Sequence, residues 1–463
     1  MRRLIYLCAC AALAVLFFNT CERNVDEIDV SDSDNNNSVY TEDESNYEWD
    51  SLNVTLVELQ GDDVEITGSG AAYSSPQLII TSGGTYQLTG ELTNGQILVQ
   101  TSENDTIKLL LDNTDITCSN GPAIYVESSE RTIIITNDSS DNYLADGTSY
   151  TNEELNGTIF SKSDLAFSGE GSLNITGNYK DGIVSKDGLI LSSGTYIIDA
   201  VDDGIRGKDY LVINSGTYSI NSGGDAIKSD NEDSGFGYIQ INTGIFNITS
   251  SGDGISAYSE LLIYNGTFDI NCSTSQSSAK ALKAGELLQI ESGVFTLECV
   301  DDAVHSDYNI LINEGDFTIS TKDDGIHAEH NLVIENAIIN IISSLEGIEG
   351  GYITVNAGTI NVKATDDGFN ATQGTEVMRD DGSQLIVNGG TITVNMSGND
   401  VDAMDSNGDI TINGGTVNLN FPANSVPSSA LDANGTISIA SNATVYANGE
   451  IYTGSSGGGP VGH

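Results

Sequence analysis

The sequence predicts an all-β solenoid, a single-stranded parallel β-helix with about 22 residues per coil. Three observations carry this: a turn that recurs at a fixed interval, apolar columns that fall into register with it, and a composition rich in turn formers. The 463 residues include 51 Gly and only 5 Pro, and 38% are hydrophobic. That length would suit two or three ordinary domains, but one solenoid can absorb it. The apolar residues are regularly placed, which a disordered chain has no need of.

The recurring turn is Asp-Gly-Ile in type. Its small residue is Gly182, Gly204, Ala226, Gly254, Ala281, Ala303, Gly325, Gly347 and Gly368, at intervals of 22, 22, 28, 27, 22, 22, 22 and 21. Ala403 and Ala430 continue the series after insertions. Between markers the chain reads as one short strand after the turn, a second over 211–213, an Asn-Ser-Gly turn, and a third over 217–220. Three strands and three turns in about 22 residues make one β-helix coil.

The third strand supplies the test. Eight residues before the marker stand Tyr196, Tyr218, Phe246, Phe295, Phe317, Ile339 and Ile360, with Phe268 equivalent. Two positions on come Ile198, Ile220, Ile248, Leu297 and Ile319. Positions two apart on a strand share a face, so both columns point inward. An aromatic stripe can be a sugar platform, but its parity with the Ile column assigns it to the core. Cys272 and Cys299 fall in a column otherwise holding Ala200, Ser222, Ser250 and Thr321, so they read as small buried side chains rather than a disulfide.

Organisation along the chain follows. Arg2 and Arg3 precede an apolar run over 4–18 that ends at Asn19-Thr20-Cys21, which reads as a signal peptide over 1–20 with Cys21 a candidate lipidated cysteine. An exported protein facing the outer surface or periplasm is expected, anchored through that lipid or simply secreted. Residues 21–50 form an acidic flexible linker, 51–178 an N-terminal β region with the first coils, 179–453 the regular β-helix, and 454–463 a Gly-rich tail. A monomer is expected. The formal net charge of −51, with 16 Lys+Arg, argues against nucleic acid or an anionic membrane surface as a partner.

The turn also carries the chemistry. Before each marker stands Asp181, Asp203, Asp225, Asp253, Lys280, Asp302, Asp324, Glu346 or Asp367, with a second carboxylate one residue earlier at Asp202, Asp301, Asp323 and Asp366. Rows of charges ~5 Å apart repel by roughly 1 kcal/mol per pair in water and ~3–4 kcal/mol at an effective dielectric of 20. Several Ca2+ ions would remove that cost, with these aspartates as ligands. The alternative is that Asp-Gly is simply good turn chemistry. The insertion over 228–235 adds Asp230, Asn231 and Asp233 at a spacing loosely like a calcium loop. Two positions after the marker runs a mixed, outward column: Arg206, Lys228, Ser256, Lys283, His305, His327, Glu349, Asn370, Asp405 and Asp432, with Lys186 and Lys208 nearby. Arg206, Lys208, Lys228, Lys283, His305 and His327 are candidate contacts for an acidic polysaccharide; charge compensation of the acidic edge explains them equally well.

The runs Gly121-Pro-Ala-Ile-Tyr-Val126, Gly177-Asn-Tyr-Lys-Asp-Gly-Ile183, Asp202-Asp-Gly-Ile-Arg-Gly-Lys208 and Asp323-Asp-Gly-Ile-His-Ala328 resemble the bacterial carbohydrate-binding domain-containing proteins of the clostridial cellulose- and pectin-binding type. Leu345-Glu-Gly-Ile-Glu-Gly350 is similar to a late coil of that family, and the resemblance spans roughly 52–450. It implies a right-handed parallel β-helix, bound calcium, and binding of cellulose or polygalacturonate-like glycans without cleavage. Ala226 and Ala303 in place of the marker glycine, and Lys280 in place of its acidic neighbour, depart from the pattern and weaken the calcium sites implied there. No catalytic residue is assigned. A calcium-dependent pectate-type lyase using Arg206, Lys208 or Lys228, and a purely structural stalk or adhesin, remain the alternatives.

Overall fold

The computed structural model describes residues 44–273, 278–374, 379–398, 401–422 and 429–452. The leader over 1–20, Cys21, most of the acidic stretch over 21–50 and the tail over 454–463 lie outside the described residues.

One coil shows how the sequence makes the fold. The Asp203-Gly204 turn feeds the strand Ile205–Gly207, a tight corner leads to Tyr210–Ile213, and the Asn214-Ser215-Gly216 turn leads to Thr217–Ser222. Each strand pairs in parallel with its counterpart one coil on: Ile205 with Ile227, Leu211 with Ile239, and Tyr218 with Phe246. Repetition builds three parallel sheets, here called the turn sheet, the aliphatic sheet and the aromatic sheet. About 14 turns stack at a mean spacing of roughly 25 residues. The 22-residue period holds wherever nothing is inserted, and insertions stretch single coils to 28, 27 and 35 residues. Antiparallel hairpins close both ends, Val54–Gly61 with Val64–Thr67 at one and Thr444–Ala447 with Glu450–Ile451 at the other.

The core is a set of like-on-like columns. Tyr196, Tyr218, Phe246, Phe268, Phe295 and Phe317 form a continuous buried stack with ring centroids 4.5–5.1 Å apart and planes within 6°. That separation is the strand spacing itself, so each ring buries both faces on its neighbours. Tyrosine is tolerated at one end because its hydroxyl reaches the turn: Tyr196 donates to the Ser193 carbonyl at 2.6 Å and Tyr218 to the Ser215 carbonyl at 2.8 Å. The same turn demands glycine. At Gly315, φ is +137°, and a Cβ would sit 2.7 Å from the Phe317 ring. Cys272 and Cys299 are buried free thiols on adjacent coils, as their column suggests.

The marker position points inward. Ala226, Ala281, Ala303 and Ala403 are fully buried in the core. Gly204 is glycine because a Cβ there would lie 2.6 Å from the Ala226 carbonyl and 2.7 Å from Ile220 Cγ2. The Gly-to-Ala change therefore adjusts core packing.

Candidate functional site

The aspartates before each marker form a hydrogen-bonded ladder. Oδ1 of each accepts the backbone N–H of its counterpart one coil on: Asp181 from Asp203 (3.2 Å), Asp203 from Asp225 (2.9 Å), Asp225 from Asp253 (2.7 Å) and Asp253 from Lys280 (2.9 Å). Further along, Asp302 accepts from Asp324 (3.2 Å), Asp324 from Glu346 (3.3 Å), Asp367 from Asp402 (2.9 Å) and Asp402 from Ser429 (2.5 Å). At a turn the strand ladder leaves these amides without carbonyl partners, and a buried unpaired N–H is costly. Lys280 has no acceptor to offer, so the Asp302 amide donates instead to Oδ1 of its own neighbour Asp301 (2.9 Å). The first task of the ladder is thus turn chemistry carried across coils.

The second oxygen faces the mixed column. Lys228 Nζ lies 2.7 Å from Asp225 Oδ2 and 3.9 Å from Asp203 Oδ2, and Lys283 Nζ lies 3.8 Å from Asp253 Oδ2. Lys280 Nζ reaches Asp301 Oδ1 at 2.7 Å and Asp302 Oδ2 at 3.3 Å. His305 Nδ1 is 2.8 Å from Asp302 Oδ2, and His327 Nδ1 is 3.4 Å from Asp302 Oδ2 and 3.5 Å from Asp324 Oδ2. Burial pushes the Asp302 carboxyl up, but hydrogen bonds from the two histidines and the Lys280 charge hold it well below the usual range. Through the middle of the solenoid the protein supplies its own cations to the ladder.

Both ends of the ladder differ. Asp181, Asp202 and Asp203 each bring an oxygen within 4.8 Å of the others. Burial, then the charges of Asp203 and Asp202, pushes Asp181 up to about 7. Asp203 is raised to about 6 by burial, despite Lys228. The Asn156 carboxamide donates Nδ2 to Asp181 Oδ2, while its Oδ1 is buried with no hydrogen-bond partner among the described residues. Arg206 hydrogen-bonds Asp230 instead, through Nε and Nη2 at 3.2 and 2.5 Å, and reaches this cluster only through its charge, which lowers Asp181. At the other end Asp402, Asp405 and Asp432 converge within 4.8 Å. Burial raises Asp367 to about 8 and Asp405 to about 7, with neighbouring carboxylates adding to it.

Of the candidate ligands, the structure brings together Asp181, Asp202 and Asp203, and separately Asp301, Asp302 and Asp323, with Lys280 against the latter. Asp324 meets His327 and Glu349. Asp225 and Asp253 face lysines, and Asp366 is exposed beside the half-buried Asp367. Glu349, Asp402, Asp405 and Asp432 join the edge without having been singled out as ligands. In the insertion over 228–235, Asp230 is committed to Arg206, and Asn231 bridges Asp209 (2.5 Å) and the Asp233 amide (2.9 Å).

The mixed column lies outward along the turn sheet. Register extends it backwards through Val184, Phe160, Tyr125 and Leu98, and forwards through Glu349, Asn370, Asp405 and Asp432. It passes from apolar and aromatic, through Arg and Lys, through two histidines, to acid. Ser256 is its short member, and above it lies a groove of about 550 Å3 flanked by Lys228 and Lys283, with Tyr258 and the carboxylates of Asp225, Asp230, Asp253, Glu286 and Asp307 in its walls. A second hollow of about 450 Å3 lies at the aromatic end, lined by Tyr125, Tyr150, Gln96, Asn120 and Glu127. Lys208, on the neighbouring outward column, belongs to neither hollow.

A solved polysaccharide lyase-like protein from C. thermocellum, studied as a gadolinium derivative, aligns over 51% of this chain and 96% of its own at 28% identity and a TM-score of 0.48. A carbohydrate-binding domain-containing protein from Acetivibrio thermocellus is 31% identical over 136 residues, which is 28% of this chain and 48% of that protein. The alignment thus spans about half the length of that relative. The family profile for carbohydrate-binding domain-containing proteins matches residues 74–325 and 321–457, so the chain belongs to that family.

Proposed function

We propose that the chain is an exported, cell-surface polysaccharide-binding protein that holds an acidic glycan of the polygalacturonate kind along the outer face of its turn sheet. The observation that carries this is the groove over Ser256, where two ammonium groups flank about 550 Å3 of open space beside the exposed ring of Tyr258. That volume suits a few sugar units, the lysines suit carboxylates, and the tyrosine offers an apolar face. Register repeats the surface every coil, ~4.8 Å, which favours a linear polymer over a compact ligand. Cellulose is the second candidate glycan.

Calcium belongs to the same reading, with narrower placement than a uniform ladder. The donor set fits at Asp181, Asp202 and Asp203, where three carboxylates crowd together and the Asn156 Oδ1 has no partner among the described residues. Asp402, Asp405 and Asp432 offer a comparable all-oxygen set. Asp225 and Asp253 fit poorly, since lysines already face them. Bound at the ends, Ca2+ would supply the positive charge that lets a uronate approach an acidic edge. Export rests on Arg2, Arg3, the apolar run over 4–18 and Cys21.

The test is retention on polygalacturonate and on insoluble cellulose, with and without EDTA. Wild type should be retained on the former, and Lys228→Gln with Lys283→Gln should release it at lower salt. Equal retention of the double variant would sink the groove assignment. Unsaturated uronide accumulating with Ca2+ would replace binding by lyase activity, and no retention on any glycan would favour a structural stalk.

A further inference from the structure

The chain has four histidines, and two of them stand on consecutive coils at matching register, His305 against His327. Both turn Nδ1 towards one carboxylate oxygen, Asp302 Oδ2, at 2.8 and 3.4 Å, and His327 Nδ1 is also 3.5 Å from Asp324 Oδ2. We propose that Asp302, His305 and His327 form a three-donor transition-metal site of the Zn2+ class, distinct from the all-oxygen ends of the ladder.

Geometry comes first. Ligands 2.0–2.2 Å from a tetrahedral ion stand ~3.3–3.5 Å from one another. The separation of His327 from Asp302 already matches, and that of His305 needs to open by about half an ångström. Donor atoms of Asp302, His305 and His327 all fall within 4.8 Å of one another, as do those of Asp324, His327 and Glu349, so the two sets share His327. Asp302 is fixed in place because its Oδ1 accepts the Asp324 amide at 3.2 Å, which leaves Oδ2 aimed at the imidazoles.

Hydrogen-bond accounting points the same way. His305 is 6% exposed, and both its ring nitrogens face carboxylate oxygens, Asp302 at 2.8 Å and Asp307 at 2.9 Å. Carboxylates only accept, and a neutral imidazole has one N–H. Either a doubly protonated imidazolium or a metal ion at Nδ1 satisfies both carboxylates; with the ion bound, Nε2–H is left for Asp307, the carboxylate–histidine–metal arrangement that orients ligating imidazoles. His327 repeats the pattern more loosely, with Nε2 3.9 Å from Glu329. The ion class follows from the donors. Ca2+ seeks six to eight oxygens, whereas this node has two nitrogens and an ammonium, Lys280, 3.3 Å from the shared oxygen. Nitrogen ligation suits Zn2+, Ni2+ or Cu2+, and Asp301 at 2.7 Å can retain Lys280 when the ion enters.

The site is independent of glycan binding and is tested without a glycan. The full chain is stripped with EDTA, desalted, equilibrated with Zn2+ in excess Ca2+, and its bound metal counted by mass spectrometry. One tightly held Zn2+ per chain is expected, alongside a Co2+ adduct with the intense visible bands of four-coordinate cobalt. Losing even an outer partner of a metal site costs 10–100-fold in affinity, so His305→Gln and His327→Gln should each weaken binding by more than ~100-fold while His330→Gln leaves it unchanged. Full Zn2+ content in the His305→Gln/His327→Gln double variant would place the ion elsewhere and overturn the proposal. So would a wild-type chain that exchanges all Zn2+ for Ca2+, or a Co2+ spectrum of the weak octahedral kind.

Discussion

Replacing Asp225 separates the two tasks of the ladder. In Asp225→Ala, the Asp253 amide loses an acceptor at 2.7 Å, and Lys228 is left with Asp203 at 3.9 Å. A hydrogen bond to a charged group contributes about 1.5–3 kcal/mol, and a partly exposed ion pair about 0.2–1 kcal/mol. Together the loss is ~2–4 kcal/mol, or roughly 30- to 1000-fold in the local opening equilibrium. Asp225→Asn keeps an oxygen for the amide and gives up only the charge, so its loss should be about 0.5–1.5 kcal/mol. Each coil touches only its neighbours, so the damage should stay within the adjoining coils. Hydrogen exchange followed by mass spectrometry on peptides across 223–256 reads this directly. If the two variants exchange alike, or if protection falls evenly along the solenoid, the cross-coil cap is not what holds the turn.

Three further outcomes follow. In EDTA, the carboxyls of Asp367 and Asp405, raised to about 8 and about 7 from an ordinary 3.8, keep protons that the unfolded chain releases. Stability should therefore fall as pH rises between about 4 and 8, with melting higher at pH 5.5 than at 8.5 and recovering at 8.5 on adding Ca2+; a flat profile would contradict the uncompensated end of the ladder. Phe268→Ala removes a ring stacked at 4.7 and 4.8 Å on two neighbours and should cost about 3–5 kcal/mol in chemical denaturation, whereas Phe268→Leu should cost well under half as much. Gly315→Ala should lower the melting temperature although its coil is otherwise unchanged, because φ of +137° and the Phe317 ring both oppose a Cβ.

Much of this was legible because a β-helix writes its cross-section once per coil. Tyr196, Tyr218 and Phe246 fall in one column by counting, and alternation with Ile198 and Ile220 makes them internal. The face carrying Arg206, Lys228 and Lys283 was legible for the same reason. What Asp225 does with each of its oxygens was not, since a carboxylate on a turn reads alike whether it caps an amide or binds a cation. Asp402 escaped because an insertion of about a dozen residues lifts it out of the 22-residue count, although it stands on Asp367. Tyr125 and Phe160 escaped because their coils lack the Asp-Gly marker by which the column was indexed. The inward aim of the Ala226 methyl needed the backbone trace itself.

The graded column on the turn sheet has a consequence for how a polymer can lie on it. Every strand of a parallel β-helix runs the same way, so the stack has a head and a tail with no two-fold to exchange them. Tyr125 stands towards one end, Lys228 and Lys283 in the middle, Asp405 and Asp432 towards the other. A polysaccharide, which itself has a reducing and a non-reducing end, would meet a different sequence of side chains in its two orientations. If the proposed glycan lies along this column, its two orientations would therefore not be equivalent.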